Sequence, residues 1–255
     1  YDGLKYAMRK LENITYEMSL LESDEPSSKR AKVENSDGSS GCLDGATYDE
    51  IRGRMEAYDK LREELIKGCR DVQKLSKQAI FSVHRGKLDD AQAQLDKAEA
   101  ASKRMHEIVE KESTLRHGSY SNCLEEWAEA ALTLTWANGG GIASMASMSR
   151  MGIKTNEYLG ALSDFTGEVG RMAVVAASAR DLDQVRNIHN CVIIIAAAFQ
   201  QLNASGKFTK KIDAVNMTMK KLEDVVYELT MVMRGGRSSR EKAVDEAAGG
   251  KGEEE

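Results

Sequence analysis

The stretch from Tyr158 to Ala179, YLGALSDFTGEVGRMAVVAASA, carries only three charged residues: Asp164, Glu168 and Arg171. A segment this apolar, with small residues all round, is expected to be an α-helix buried on most sides. The rest of the chain must then supply the elements that cover it. The three charges fall at i, i+4 and i+7 and line one stripe of that helix. Two carboxylates in such a segment are costly unless something satisfies them. Arg171, a metal ion or a water-filled cleft could each do so, and the choice separates a helical scaffold from an enzyme.

The covering elements are expected to be helices too. Ala, Leu, Met, Lys and Glu are plentiful, Pro26 is the only proline, and the Val/Ile/Thr/Tyr alternation of strands is scarce. At 255 residues and 41% hydrophobic, the chain can bury a sizeable core in one large domain or two small ones. The net charge of −5 excludes a chain that is basic overall, so any surface that grips nucleic acid must be local or supplied by a partner. Four scattered cysteines without a CxxC pair, and four histidines without zinc-ligand spacing, read as free thiols in a reducing compartment. There is no signal peptide or transmembrane run. Cys191 to Phe199 is apolar but far too short to span a bilayer, so no membrane partner is expected. The chain starts at Tyr1 rather than Met, as a fragment or a trimmed chain would, and an N-terminal targeting signal could have been lost.

Residues 1–22 read as an amphipathic helix with Leu4, Met8, Leu11, Tyr16 and Met18 near one face. Residues 23–46 are polar and rich in Ser, Gly and Asp, as a flexible linker is. Lys29-Arg30-Ala31-Lys32 within it fits a short nuclear-localisation signal and a solvated charge cluster equally well. From residue 47 to 234 the helical pattern is continuous. Helices are expected over Tyr48–Arg85, ending at Gly86, then over Leu88–Glu112 and Tyr120–Ala137. Three more are expected over Thr155–Ala179, Asp181–Asn203 and Thr209–Met233. The Met-rich SMASMSRM is left open between loop and frayed helix. The Gly-rich, charged tail of residues 235–255 has the composition of disorder.

The N-terminal segment repeats the sequence of the last helix. YDGLKYAMRKLENITYEMSLL aligns without gaps on IDAVNMTMKKLEDVVYELTMV, with Asp2, Met8, Lys10, Leu11, Glu12, Tyr16 and Glu17 matching Asp213, Met219, Lys221, Leu222, Glu223, Tyr227 and Glu228. Two unrelated amphipathic helices could share some of these residues. The Lys-Leu-Glu and Tyr-Glu spacings, which amphipathicity does not require, favour the tail of an upstream homologous copy.

A second acidic pair sits on the preceding helix, NCLEEWAEAALTLTWA, where Glu126 and Glu129 are i, i+3 and no charge follows until Arg150. With Asp164 and Glu168, this places carboxylates on two apolar helices, and carboxylates on facing helices of a bundle can converge on a metal. Oxygen ligands with few histidines favour Mg²⁺, or Mn²⁺, over zinc. Such an ion can polarise a phosphoryl oxygen and activate water. The spacing alone leaves the alternatives standing. Glu125 to Glu129 could complement the helix dipole, and Asp164 and Glu168 could be held by Arg171 as a structural ion pair.

The same residues carry a resemblance. Tyr158-Leu159…Asp164-Phe165-Thr166-Gly167-Glu168…Arg171, in the pattern YLxxLxDxTGExxR, resembles the translin family. Its acids, with SKQAIFSVHR (Ser76 to Arg85) and Glu126-Trp127-Ala128-Glu129-Ala130, are similar to the translin-associated factor X (TRAX) branch. KKLEDVVYEL resembles the family's last helix, and residues 1–22 resemble the end of translin itself. The resemblance spans about Tyr48 to Arg234. It implies an all-α, seven-helix bundle that joins a translin-type subunit in a closed hetero-oligomer, nuclear and cytoplasmic. It further implies a Mg²⁺-dependent endoribonuclease acting on single-stranded or short duplex RNA, with DNA as a further ligand. Glu126, Glu129, Asp164 and Glu168 would be the metal-holding, catalytic acids. Lys74, Lys77, Arg85 and Arg171 are candidates for gripping RNA, and Glu125 stands where the family often has a neutral residue. A non-catalytic subunit that binds nucleic acid or scaffolds a partner is the alternative.

Overall fold

The computed structural model describes residues 4, 7, 8, 10–15, 44–202 and 207–235. The expected linker, its Lys29–Lys32 cluster and the charged tail lie outside the described residues, apart from Asp44–Ala46 and Gly235. The chain divides into two compact units, Tyr1–Arg52 and Gly53–Glu255. In the first, the described positions among residues 4–15 are helical, and Leu4, Met8, Leu11 and Ile14 are all exposed. The repeat pairs these four with Val215, Met219, Leu222 and Val225, every one of which packs into apolar surroundings. The N-terminal segment thus carries the packing face of the last helix and leaves it open.

The second unit is all-α, and among the described residues there is no strand. Helix α1 (Gly45–His84), which belongs to this unit from Gly53 onward, starts where the Asp44 carboxylate accepts the Thr47 hydroxyl at 2.5 Å and its N–H at 3.3 Å. It ends at Gly86, whose φ of +72° suits a residue without a side chain. Helix α2 (Leu88–Lys111) turns back along α1, so Ser82 meets Gln94 and Glu64 meets Arg104. A 3₁₀ turn, Ser113–Arg116, leads into α3 (Ser119–Ala137). Helices α4 (Thr155–Ser178), α5 (Leu182–Gln201) and α6 (Lys207–Met233) complete the bundle. Every boundary lies within about three residues of the sequence reading, close to the scatter of helix assignment itself. No described helix is long and apolar enough to cross a membrane.

Helix α4 packs against α3, α5 and α6, as its low charge requires. Its burial is incomplete, however: Val175 is 70% exposed, and Val174 is exposed beside it. Helices α3 and α4 run parallel, with Ser121 bonded to Glu157 at their starts. In that register α3 ends at Ala137, level with Ala173; the last turn of α4 packs Ala176 against Val185 and Leu229 and leaves Val174 and Val175 on its open face.

Parallel packing needs a connection that runs back the length of α3, about 28 Å for 19 residues. Residues 138–154 provide it. The Met-rich stretch is a 3₁₀ helix, Met145–Met151, capped by the Ser144 hydroxyl and anchored by the buried Met148 and Met151. Glu157 locks the register. Its buried carboxylate accepts from Arg116 at 2.8 Å, from the Ser121 hydroxyl at 2.6 Å and from the Lys154 N–H at 2.9 Å.

Candidate functional site

The parallel register decides where the acids meet. With Ser121 level with Glu157, a residue of α3 lies beside the residue about 36 positions later on α4. Glu126 and Glu129 therefore come level with the stretch of α4 that carries Asp164 and Glu168. The Glu126, Glu129 and Glu168 side chains line one cleft of about 580 Å³, with Lys77, Phe81 and His84 of α1 and Arg171 of α4. Asp164 joins Glu129, Glu168 and Arg171 around an adjoining hollow of about 270 Å³, closed by α6. The four predicted acids thus line two adjoining hollows that share Glu129, Glu168 and Arg171.

Their partners differ. Glu168, 7% exposed, accepts from His84 Nε2 at 2.6 Å and is ion-paired with Arg171 one turn on. Asp164 takes the Lys211 ammonium at 2.5 Å, and the same ammonium reaches Glu125 at 2.8 Å. Glu126 has Lys77 at 3.3 Å. Glu129 stands between them and, among the described residues, its carboxylate has no hydrogen bond or ion pair. Burial, then the charges of Asp164, Glu168 and Glu126, push it up to about 8, so it carries a proton at neutral pH. Burial depresses the Lys211 ammonium, but its bonds to Asp164 and Glu125 outweigh that and hold it above the ordinary lysine value. The Arg171 guanidinium is likewise raised by its hydrogen bond to Glu168.

The donor set suits a hard divalent cation. It consists of carboxylate oxygens in excess of their counter-charges, with one acid, Glu129, whose burial and acidic neighbours outweigh the pull of Lys211 and favour its protonated form. The side chains stand in the arrangement their protein partners impose. Among the described residues no three His, Cys, Asp or Glu groups are gathered closely enough to ligate one ion. The site is therefore an acidic cluster spread between basic groups, with Glu129 as its unsatisfied centre.

Of the four basic candidates, Lys77 and Arg171 line the cleft. Arg85 is exposed beside it, with its guanidinium 5.0 Å from the Phe81 ring centroid. Lys74 is exposed and does not line it. Sequence reasoning missed Lys211 and the tie between His84 and Glu168. Lys211 lies 86 residues from Glu125 in a helix with several other lysines, and nothing local distinguishes it. His84 stood inside the quoted SKQAIFSVHR segment but lacked a partner at helical spacing. Gly160 was a readable signal in hindsight: a Cβ there would stand 2.3 Å from the Glu125 carboxyl carbon, so glycine lets Glu125 lie across α4 to reach Lys211.

The translin family model matches residues 60–233. The chain belongs to the translin family. Solved structures that share the translin fold include apo-NeC3PO, with a TM-score of 0.65 and 17% identity over 71% of this chain and 96% of that one. AfC3PO aligns with a TM-score of 0.63 and 19% identity, over 73% of this chain and 98% of its own. AfC3PO in complex with duplex RNA gives 0.61 and 18%, over 73% and 97%. No curated protein matches the sequence.

Proposed function

We propose that this chain is a TRAX-type subunit of a translin-family ribonuclease. It is a metal-dependent endoribonuclease that cuts single-stranded or short duplex RNA in a closed hetero-oligomer with a translin-type partner. The observation that carries the reading is the gathering of Glu126, Glu129, Asp164 and Glu168 around two adjoining hollows, with Glu129 kept protonated by burial and then by its acidic neighbours. The duplex RNA held by AfC3PO supports RNA as the ligand class.

Magnesium, or manganese, held by the four acids would polarise the phosphodiester, activate a water and stabilise the leaving oxygen. The chain's own residues prepare the site. His84 holds Glu168 through Nε2, and Lys211 holds Asp164. Glu129 holds a proton that a bound cation would displace. Lys77 and Arg171, both well exposed on the cleft wall, meet the phosphates of the entering strand. The net charge of −5 is why assembly matters: this chain alone gives a polyanion little to hold, and the partner supplies the rest of the grip.

The ion pairs of Glu168 with Arg171 and of Asp164 with Lys211 favour a second reading, a subunit that binds RNA without cutting it. Cleavage of a single-stranded oligoribonucleotide by the assembled complex, with Mg²⁺ and with chelator, separates the two. The proposal expects internal cuts with Mg²⁺ only. It expects Asp164→Asn and Glu129→Gln to abolish them without changing the mass of the complex. Undiminished cutting by both variants sinks the site assignment.

A further inference from the structure

One residue of the cleft is explained neither by packing nor by the acids. Phe81 is 60% exposed, yet it lines the same recess as Glu126, Glu129 and Glu168. Helix α1 buries Ser76, Ala79, Ser82 and Val83 on its other face, so the phenyl ring adds little to the core. A single exposed aromatic is unremarkable in itself. This one has a cation one turn away on each side, Lys77 and Arg85, at i−4 and i+4. The Arg85 guanidinium already stacks 5.0 Å from the ring centroid. At 1.5 Å per residue, the backbones of Lys77 and Arg85 are about 12 Å apart along the helix, with the ring midway.

An exposed aromatic between two cations, beside a groove, is the arrangement on which unpaired bases stack while their phosphates are held on either side. We propose that Phe81 is the stacking platform for one unpaired nucleobase of the RNA, next to the bond that is cut. Lys77 and Arg85 take the flanking phosphates, and Arg85 yields the ring face to the base. A base inside a continuous duplex cannot reach the ring without leaving its stack. The site therefore selects strands that are single, or opened, at this nucleotide. The position of the base relative to the cut rests on the nuclease reading above, whereas the stacking subsite does not.

The test is binding without cleavage. The assembled complex, in chelator, is titrated with oligoribonucleotides carrying one 2-aminopurine at successive positions. The chains compared are the wild type, Phe81→Leu and Phe81→Trp. The wild type is expected to quench one position strongly. Phe81→Leu is expected to lose that quenching and to bind at least about fivefold more weakly, at the lower end of what one stacked base contributes. Phe81→Trp is expected to retain both properties. An abasic nucleotide at the quenched position should weaken wild-type binding by the same factor and leave Phe81→Leu unaffected. Wild-type affinity and quenching in Phe81→Leu would overturn the proposal. So would a Phe81→Leu complex of altered mass whose intact fraction binds normally, which would make Phe81 a subunit contact. Failure of the nuclease reading shows separately, as wild-type complex that stacks the base but never cuts with Mg²⁺.

Discussion

Replacing Glu129 by glutamine removes the carboxyl whose ionisation the fold resists and keeps its shape. Its ordinary value of 4.5 rises to about 8 in the fold, because burial and then Asp164, Glu168 and Glu126 all oppose its charge. The folded protein therefore binds this proton more tightly than the unfolded chain. Between those two values stability falls as pH rises, and above about 8 the loss is complete. Each pH unit in that window is worth about 1.4 kcal/mol, giving a ceiling of roughly 4 to 5 kcal/mol. Side-chain relaxation and the partial exposure of the carboxyl reduce this to about 2 kcal/mol. Glutamine stays neutral throughout, so the variant should match the wild type near pH 5. By about pH 8.5, in chelator, it should be more stable by about 2 kcal/mol, or roughly 4–8 °C in Tm for a domain of this size. Urea unfolding at the two pH values, followed by circular dichroism, measures both numbers. A variant no more stable than wild type at high pH, or equally stabilised at both, would refute the reasoning. Added Mg²⁺ should then stabilise the wild type and not the variant.

Other substitutions probe the surrounding structure. Arg116→Met strands the buried Glu157 carboxylate that locks α3 to α4, and should cost about 3 kcal/mol in urea unfolding. Burial works against the Glu157 charge, but its bonds to Ser121 and Arg116 outweigh it and hold the carboxyl below the ordinary range. The stabilisation it brings should accordingly be present above about pH 4.5 and fade as pH falls through its folded value. The two ends of the repeat should respond oppositely to one change. Leu222→Ala, at a side chain 2% exposed, should cost about 2–4 kcal/mol, whereas Leu11→Ala, 64% exposed, should stay within about 0.5 kcal/mol. Lys211→Met removes the cation that Asp164 holds, and should tighten Mn²⁺ binding by about tenfold in a calorimetric titration.

The helices were readable because several boundaries have a local cause: glycine at residue 86, a break at Gly118, the Asp181 carboxylate at the start of α5. The two acidic pairs were readable because i, i+3 and i, i+4 spacing is a property of one helix. Their convergence was not, since it depends on α3 and α4 running parallel, and that is set by Glu157, Arg116 and the returning segment 138–154. The Met-rich part of that segment lacks helical periodicity because it buries only Met148 and Met151 on a tight 3₁₀ turn. Helix α4 is buried on most sides, as expected, with Val174 and Val175 exposed on its remaining face. Lys211 and His84 act across 86 and 84 residues respectively, a distance no local pattern spans.

Proton release on metal binding tests the central claim most directly, namely that the four acids hold a divalent cation whose binding displaces the proton of Glu129. Mg²⁺ or Mn²⁺ is titrated calorimetrically into the assembled complex in two buffers of different ionisation heat. With Glu129 at about 8, its carboxyl is about nine-tenths protonated at pH 7 and about one-tenth at pH 9. The account predicts about 0.9 proton released per ion at pH 7, about 0.1 at pH 9, and none from this position in Glu129→Gln. Absence of binding, or binding at pH 7 with no proton released, would contradict it.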